Sequence, residues 1–364
     1  MNVPKLRFKE FKDDYIKLRY KDVLKIKSGK DQKQVEDKNG KYPILGTGGQ
    51  IGKTNSFLYD KPSVLIGRKG TINKPQYMES PFWTVDTLFY SHIYEPNIPK
   101  YLFYLFQNVN WKKYDESTGV PSLSSSTIES VECSIPSPDE QIKIANFLSL
   151  LDKKIELQTK KIEDLKLFKL YMENQFIFED DASYIEYKLR DILIEGNKTP
   201  VADTSKYQKL TIKLNLKGLE FNESQKEMSD KRPFYVRDEN ELIIGKQNYF
   251  NGSIAIVNKK YAGGICSNAI MSFKAKDGFD IKYIYLYLSQ KSYMKQREFL
   301  ANGTGQKELS EKEFLNFSIR IPSDNKVKKI IKNVNCISKK ILLEENKLNK
   351  LIELKKGLMQ NMFV

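Results

Sequence analysis

Apolar residues recur at spacings of three, four and seven in two long stretches of the chain. The first stripe contains Ile144, Leu148, Leu151, Ile155, Ile162, Leu165, Met172 and Phe176. The second contains Ile330, Val334, Ile337, Ile341, Leu348, Leu351, Leu358 and Met362. This spacing predicts two coiled-coil helices of about 40 residues, each roughly 60 Å long. Pro138 suits the start of the first helix, and Ser323 or Asp324 the start of the second.

These helices belong to an internal repeat with a constant offset of 186 residues. The offset relates 117–124 to 303–310, the Ile-Pro-Ser at 135–137 to that at 321–323, and 152–155 to 338–341. Residues 100–103 match 282–285 at a slightly smaller offset, which indicates a short insertion in the second copy. Because the two stripes are linked copies that need partners, we expect each helix to pack against the other.

Both stripes are interrupted at the same place, by Gln158 in the first copy and Glu344 in the second. A polar residue in a coiled-coil seam lowers stability but can fix register and orientation. One hypothesis is that this pair sets the alignment of the two helices. The alternative is a solvated gap in the seam.

The segments before the helices have a different pattern, rich in glycine, tyrosine and β-branched residues. Short strand-like runs occur at 63–66, 241–244 and 253–257, and shorter helical runs at 101–108 and 281–290. The predicted fold class is therefore α/β (α+β), with mixed domains alternating with long helices. The predicted boundaries are 1–137 and 181–323 for the two domains, and 138–180 and 324–364 for the two helical segments.

Net charge favours an anionic partner. The chain carries +15 with a pI near 9.3, and nucleic acid is the commonest anionic partner of a basic chain. Residues 1–137 and 324–364 each carry +6, residues 179–323 carry +3, and residues 138–178 are neutral. The first helix thus suits a spacer or a protein-binding face, whereas the second could touch a DNA backbone.

Targeting and metal signals are weak. No apolar run approaches the ~20 residues of a membrane span, and the start shows no signal-peptide pattern, so we expect a cytoplasmic protein without a membrane partner. The cysteines, Cys133, Cys266 and Cys336, are few and far apart, which argues against a disulfide framework. The single histidine, His92, lies in an apolar stretch and is expected to be structural, so no metal site is predicted.

Three motifs imitate catalytic sites without completing them. Residues 46–54 nearly form a phosphate-binding loop, but Thr47 stands where the motif needs its first glycine. A tight turn presenting backbone amides and Gln50 explains these residues better. The acidic pair Asp139 and Glu140 with Lys143 resembles a nuclease cluster, yet capping of the helix start explains the pair better. Adenine-methyltransferase motifs are missing, so no catalytic residues are predicted.

Polar, glycine-rich loops lie at matching places in the two domains and are the predicted DNA contacts. Arg, Lys, Asn and Gln can read base edges, and glycines let the backbone approach phosphates. In the first domain the candidates are Thr47, Gly48, Gln50, Arg68, Lys69, Asn73, Lys74 and Thr84. In the second domain they are Lys246, Gln247, Asn248, Tyr249, Asn251, Ser267, Asn268, Gln306 and Lys307. Because the loops differ in sequence, they fit two readers of different half-sites.

At this point the chain resembles the specificity subunits of type I restriction–modification systems over essentially its whole length. The segment IPSPDEQIKIANFL at 135–148, with Leu151, Asp152 and Ile155 beyond it, is similar to the family's central conserved helix. The opening VPKLRF at 3–8 is similar to its common start. Gly67, Arg68, Gly70 and Gly245 resemble the glycine-centred core of its recognition domains. In the second copy, residues 324–327 depart from the Pro-Asp-Glu-Gln pattern.

The resemblance implies two target recognition domains, each reading half of an interrupted DNA sequence, and two helices packed as an antiparallel coiled coil that measures the gap. It further implies double-stranded DNA, two modification subunits and two restriction subunits as partners. S-adenosylmethionine, magnesium and ATP would act on those partner subunits, with no cofactor in this chain. The chain would be a non-catalytic part of an adenine methyltransferase and ATP-dependent endonuclease.

Other functions remain open at this stage. The recognition subunit of a fused restriction–methyltransferase system has the same sequence features, and neighbouring genes would distinguish it. A nucleotide-dependent nuclease would show nucleotide binding and metal-dependent cleavage by the isolated chain. A coiled-coil scaffold would not bind DNA, whereas phosphate contacts predict affinity that falls steeply with salt.

Overall fold

A computed structural model describes residues 3–178, 183–222, 232–300 and 308–364. The chain divides into two compact units, Met1–Lys161 with Glu344–Val364, and Ile162–Leu343. Each unit therefore contains one α/β domain and one end of each long helix. None of the helices in the described ranges is long and apolar enough to cross a membrane.

The first α/β domain is followed directly by the first long helix. Its elements are β1 (Ile16–Arg19), α1 (Tyr20–Val23), β2 (Leu24–Lys27), β3 (Tyr42–Gly46), β4 (Gly49–Thr54), β5 (Ser63–Gly67), β6 (Gln76–Met78), β7 (Trp83–Thr84), β8 (Leu88–Ile93), α2 (Pro99–Asn108), α3 (Ser125–Ser130) and β9 (Glu132–Ile135). The long helix α4 spans Pro138–Phe178 and begins at the predicted residue.

The second α/β domain precedes the second long helix. Its elements are β10 (Ile185–Lys188), α5 (Leu189–Ile192), β11 (Leu193–Glu195), β12 (Leu210–Ile212), β13 (Leu219–Phe221), β14 (Phe234–Val236), β15 (Leu242–Gly245), β16 (Ile254–Ile256), β17 (Ile265–Ser267), β18 (Ile270–Ala275), α6 (Ile281–Leu288), α7 (Lys291–Arg297), α8 (Glu311–Leu315) and β19 (Ser318–Ile321). The helix α9 spans Asp324–Met362.

The sequence repeat is also a repeat of sheet topology. In the first domain β1 pairs antiparallel with β9, and a four-stranded sheet has the order β2-β8-β5-β6. In the second domain β10 pairs antiparallel with β19, and the corresponding sheet has the order β11-β18-β15-β16. The two domains thus share one α+β plan, which confirms the predicted fold class and its duplication.

One end of each long helix, the start of α4 and the end of α9, enters the core of the first unit. Ile144 and Leu148 of α4 pack with the buried face of α2, and Met359 and Met362 of α9 belong to the same cluster. Phe363, which follows α9, lies with its ring centroid 5.5 Å from that of Tyr101. Full burial of one such side chain stabilises the fold by roughly 1.5–3 kcal/mol. The first domain is therefore completed by residues from the far end of the sequence.

The second core uses the equivalent positions of the other helix. Ile330 and Val334 of α9, the repeat counterparts of Ile144 and Leu148, are buried against the second domain. Of the other predicted packing residues, three are buried, namely Leu151, Ile162 and Ile341. Five are half-buried, namely Ile155, Leu165, Ile337, Leu348 and Leu351. The apolar stripes thus face protein rather than solvent along their length.

Glu140 anchors the N-terminal segment to the start of α4. Its carboxylate accepts hydrogen bonds from Arg7 at 2.8 and 2.7 Å and from the Tyr15 hydroxyl at 3.0 Å. The Glu140 side chain is only 1% exposed. Glu140 lies in the first turn of α4, as the capping interpretation expects, and in addition its carboxylate pairs with a residue 133 positions earlier.

Gln141 ties the same helix start to the domain. Its side-chain oxygen accepts from the Ile98 amide at 2.9 Å, and its side-chain nitrogen donates to the Pro136 carbonyl at 3.0 Å. In the second copy Lys326 replaces Glu140, and its ammonium lies 4.7 Å from the centroid of the Tyr184 ring. The departure from Pro-Asp-Glu-Gln thus coincides with a different way of anchoring the helix start.

We predict that Glu140→Gln destabilises the first unit by about 3 kcal/mol, because it leaves the Arg7 guanidinium without its buried counter-ion. Both tryptophans, Trp83 and Trp111, lie in this unit, so tryptophan fluorescence during urea unfolding reports on it selectively. Glu10→Gln is the control, since it breaks an exposed ion pair with Lys143 on the same helix. Equal unfolding midpoints for the two variants would show that the buried pair is unimportant.

Candidate nucleic-acid interface

A central strand of each four-stranded sheet ends at a glycine followed by a basic residue. Strand β5 ends at Gly67 before Arg68, and β15 ends at Gly245 before Lys246. A Cβ atom at Gly67 would lie 2.4 Å from a backbone oxygen of Thr71, whereas one at Gly245 would lie 2.5 Å from the side-chain oxygen of Ser253. The backbone therefore requires glycine at Gly67, while Gly245 makes room for a serine side chain, and in both domains the basic side chain leaves the sheet at the strand end.

Backbone hydrogen bonds hold Arg68 in the first domain. Its amide donates to the Thr87 carbonyl at 2.8 Å, and its carbonyl accepts from the Leu123 amide at 2.9 Å. The side chain is exposed. Its position is thus fixed from both sides while the guanidinium stays accessible to a ligand.

The same arrangement recurs at Lys246. Its amide donates to the Ala269 carbonyl at 3.0 Å, and its carbonyl accepts from the Leu309 amide at 2.9 Å. Leu309 is the repeat counterpart of Leu123, so that the two basic residues occupy equivalent places in the repeat. Asp86 precedes Thr87, which accepts from the Arg68 amide, and Asn268 precedes Ala269, which accepts from the Lys246 amide.

Two further loops join Arg68 in the first domain. The Gly70 amide donates to the Pro121 carbonyl at 2.8 Å, and the Gln76 side chain donates to the Gly46 carbonyl at 2.8 Å. These bonds bring the β3–β4 turn and the loop before α3 beside the loop after β5. We call the accessible residues of these loops the first loop edge, which contains Thr47, Gly48, Arg68, Lys69, Asn73 and Lys74.

The second loop edge contains Lys246, Gln247, Asn248, Asn251, Ser267 and Asn268. The Asn248 carbonyl accepts from the Ser253 amide at 3.0 Å, and the Asn251 carbonyl accepts from the Asn215 amide at 2.8 Å. These backbone bonds order the loop while the amide side chains stay exposed. Gln306 and Lys307 lie outside the described residues.

Two predicted contact residues need correction. Thr84 and Tyr249 are both fully buried, and the Tyr249 hydroxyl donates to the Leu288 carbonyl at 2.8 Å. Neither side chain can reach a ligand at the surface, and Tyr249 belongs to the second core. Gln50 is exposed on β4, where its side-chain nitrogen donates to the Gly52 carbonyl at 3.2 Å.

The glycines of residues 46–54 form a β-hairpin. Gly46 pairs with Gly49 across a two-residue turn, and the chain continues as strand β4. A phosphate-binding loop would continue into a helix whose N-terminus faces the phosphates. The prediction that these glycines make a tight turn is therefore confirmed.

The thiols of the domains are poorly suited to nucleophilic chemistry. Burial raises the pKa of Cys133 to about 12 and that of Cys266 to about 11, so that both stay protonated at neutral pH. His92 lies on β8, and its Nδ1 forms a 2.9 Å hydrogen bond with the Tyr59 hydroxyl. It is structural, as predicted. The described residues include no group of three or more side chains suited to holding a metal ion.

Gln158 and Glu344, the interruptions of the two stripes, contact each other. The Gln158 side-chain nitrogen donates to the Glu344 carboxylate at 2.8 Å and to its backbone carbonyl at 3.0 Å. Glu344 is only 4% exposed. The solvated-gap alternative is therefore wrong, because the two side chains bond each other and the Glu344 side chain is buried.

Two equivalent lysines complete this polar cluster. Lys161 and Lys347, which are also counterparts in the repeat, lie 3.0 and 3.3 Å from the Glu344 carboxylate. The Gln158 hydrogen bond, followed by that of Lys161, lowers the pKa of Glu344 to about 2. Further along, Asp152 pairs with Lys355 at 2.6 Å. Asp152 comes before Gln158 on α4, whereas its partner Lys355 comes after Glu344 on α9. The helices therefore run antiparallel in this unit.

The comparison with known proteins now identifies the family. A sequence profile described as the type I restriction modification DNA specificity domain matches residues 12–167 and 183–354. The chain belongs to this family. Each match covers one α/β domain and most of the helix after it, so that family membership and structural repeat divide the chain in the same way.

Individual family members are distant. The chain is 24% identical over 149 residues to the EcoDI specificity subunit of Escherichia coli, and 32% identical over 142 residues to the MjaIX specificity subunit of Methanocaldococcus jannaschii. These alignments cover 40% and 37% of this chain but only 32% and 33% of the relatives. The chain thus matches about a third of the length of each curated relative.

Solved structures of the family share the fold. The S subunit of a type I restriction–modification system from M. genitalium superposes with a TM-score of 0.66 at 16% identity, covering 100% of this chain and 99% of that one. A chain from a structural study of type I complex assembly gives 0.57 at 11% identity, covering 96% and 97%. The two-domain fold is therefore that of these chains.

We predict that Glu344→Gln lowers the stability of the first unit at neutral pH, because the anion held by Gln158 and the lysines is lost. A carboxylate whose pKa is lowered on folding stabilises the protein above its ordinary pKa near 4.5, and this contribution disappears as the pH falls towards about 2. Tryptophan-monitored unfolding should therefore show a wild-type advantage at pH 7 that vanishes in acid.

The matched control is Glu353→Gln, which removes a carboxylate from an exposed position of the same helix. A Glu344 variant whose stability difference is independent of pH would contradict the role of the anion. The alignment hypothesis has its own test, because replacing both Gln158 and Glu344 by leucine should permit other registers. Unchanged register and function in that double variant would reject it.

Proposed function

We propose that this chain is the sequence-specific DNA-binding subunit of a type I restriction–modification complex, and that its two α/β domains read the two halves of an interrupted target. The observation that carries the proposal is the pair of loop edges. Arg68 and Lys246 are held by equivalent backbone bonds at equivalent strand ends, while the side chains around them differ. The same backbone arrangement with two different sets of side chains suits two different half-sites.

The chemistry of the loop edges fits double-stranded DNA. Arginine and lysine can bond the O6 and N7 atoms of guanine, and asparagine and glutamine can bond the N6 and N7 atoms of adenine. Lysine also contacts phosphates and gives the affinity its salt dependence. The net charge of +15 supports an electrostatic attraction between the chain and the DNA backbone.

The long helices would then measure the gap between the half-sites. Support comes from their antiparallel contacts in the first unit and from the cluster around Glu344, which disfavours slippage by one heptad. A shift would separate Gln158 from Glu344 and bury a carboxylate without its partners.

Modification and restriction subunits would supply the chemistry. We propose that two of each join the complex and act with S-adenosylmethionine, magnesium and ATP. Large apolar side chains exposed on the long helices are candidate contacts for them. Three of those on α4 are Phe147, Leu150 and Leu157, which are 39%, 69% and 58% exposed. Their exposure beside a buried stripe is typical of a protein-binding face.

The test is to compare Arg68→Ala and Gln247→Ala, one exposed residue from each loop edge, by selecting duplexes bound by the purified chain from a random pool. Each variant should relax base preference in one half-site only, with a loss of about 1–3 kcal/mol of discrimination for a direct base contact. The control is Lys17→Ala, an exposed lysine on β1. Changes in both half-sites, or in neither, would contradict the assignment of one reader to each domain.

A further inference from the structure

The second α/β domain contains a polar cleft of about 170 Å³ beside its loop edge. Lys246 and Asn268 of the second loop edge line it together with Lys198, Arg237 and Glu311. The last three come from separate parts of the sequence, before β12, after β14 and at the start of α8. The fold therefore brings three cationic side chains and one carboxylate to a single concave surface.

Glu311 holds two of the three cations. Its carboxylate lies 2.8 Å from the Lys198 ammonium and 3.6 Å from the Lys246 ammonium. Burial alone would raise the pKa of Glu311, but the hydrogen bond from Lys198 and the charges of both lysines outweigh it and lower the pKa. The group is thus an anion at neutral pH, placed between two lysines at the mouth of the cleft.

Arg237 brings a buried donor without an acceptor. Its side chain is 3% exposed, and one terminal nitrogen donates to the Asn197 carbonyl at 3.1 Å. The nearest atoms of Arg237 and the buried Glu241 carboxylate are 3.8 Å apart. The Nε atom of Arg237 has no hydrogen-bond partner within the described part of the chain. Because this atom is itself buried, a ligand in the cleft cannot bond it without a rearrangement, and Lys198 and Lys246 are the cations that the cleft presents to a ligand.

The first domain lacks the carboxylate at the equivalent place. Ser124 and Ser310 are counterparts in the repeat and cap α3 and α8 in the same way, but the next residue is Ser125 in the first copy and Glu311 in the second. Among the described residues Arg68 has no ion-pair partner, whereas Lys246 has Glu311. The carboxylate is therefore a feature of the second loop edge and not a requirement of the shared fold.

We propose that the cleft is a binding site for one DNA backbone phosphate, and that Glu311 occupies the place of that phosphate in the free protein. This inference rests on the proposed function. Phosphate oxygens accept hydrogen bonds from lysine as a carboxylate does. A phosphate bound to these lysines would repel the Glu311 carboxylate beside it. Phosphate binding therefore transfers Lys198 and Lys246 from Glu311 to the DNA, and Glu311 turns towards solvent.

The consequence is a second domain that binds DNA more weakly than its lysines alone would allow. Binding of any duplex must separate Glu311 from the lysines, which reduces the net binding free energy. Removing the carboxylate should therefore raise the affinity for DNA of any sequence, whereas a carboxylate that positions Lys246 for DNA would lower the affinity when removed.

The experiment measures binding of a fluorescently labelled duplex of mixed sequence to the full chain over a range of salt concentrations. Glu311→Gln keeps the shape of the side chain and should tighten binding about three- to tenfold, as expected for the release of Lys246 and of one of the two ion pairs of Lys198, which keeps its 2.8 Å pair with Glu195. Lys246→Met should weaken binding and reduce the salt slope by about 1. Its effect should be larger in the Glu311→Gln background, because Glu311 no longer competes for the lysine.

The matched control is Glu220→Gln, which breaks the exposed Lys213–Glu220 ion pair of the β12–β13 hairpin with the same change in charge. If Glu311→Gln binds no more tightly than Glu220→Gln, the role of Glu311 as a phosphate substitute is wrong. An equal effect of Lys246→Met in both backgrounds would also reject it. A wild-type chain that binds no duplex at low salt would instead overturn the proposed function itself.

Discussion

The rest of the chain depends on one constraint, the pairing of two copies of one helix, and the contacts of Glu344 make that pairing visible. Its carboxylate is satisfied by Gln158, the residue at the same position of the other copy, and by lysines that are themselves equivalent. Antiparallel pairing of two copies brings equivalent positions of the repeat together at one point only. The exchange of Gln for Glu there makes the pair complementary rather than like-charged.

This pairing also explains how each domain is completed. The end of α9 contributes Met359 and Met362 to the core of the first unit, while the start of α9 contributes Ile330 and Val334 to the core of the second. Each domain core therefore includes residues of a long helix. Because Ile144 and Leu148 of α4 share one core cluster with Met359 and Met362 of α9, a shift of register would disturb the helix pairing and the first domain at once.

The repeat, the two long helices and the glycine–basic strand ends could be predicted from the sequence, because offset and periodicity are local properties that need no knowledge of contacts. The partners of Glu140 and Glu311 could not, since Arg7 lies 133 residues from Glu140 and Lys198 lies 113 residues from Glu311. Thr84 and Tyr249 were wrongly predicted to contact DNA for a related reason. Their residue types suit DNA contacts, but only the packing of the sheet and of α6 decides that both are buried.

The most direct test of the account is to remove one heptad before Gln158 in α4 and one heptad after Glu344 in α9, so that this pair and the packing of both helix ends in the first core are retained. The altered chain would be expressed with its partner methyltransferase, and the methylated sites in the host genome would be sequenced. We expect both half-sites to be unchanged and the gap between them to change. Altered half-sites with the original gap would contradict the proposal that the paired helices set the distance between two independent readers.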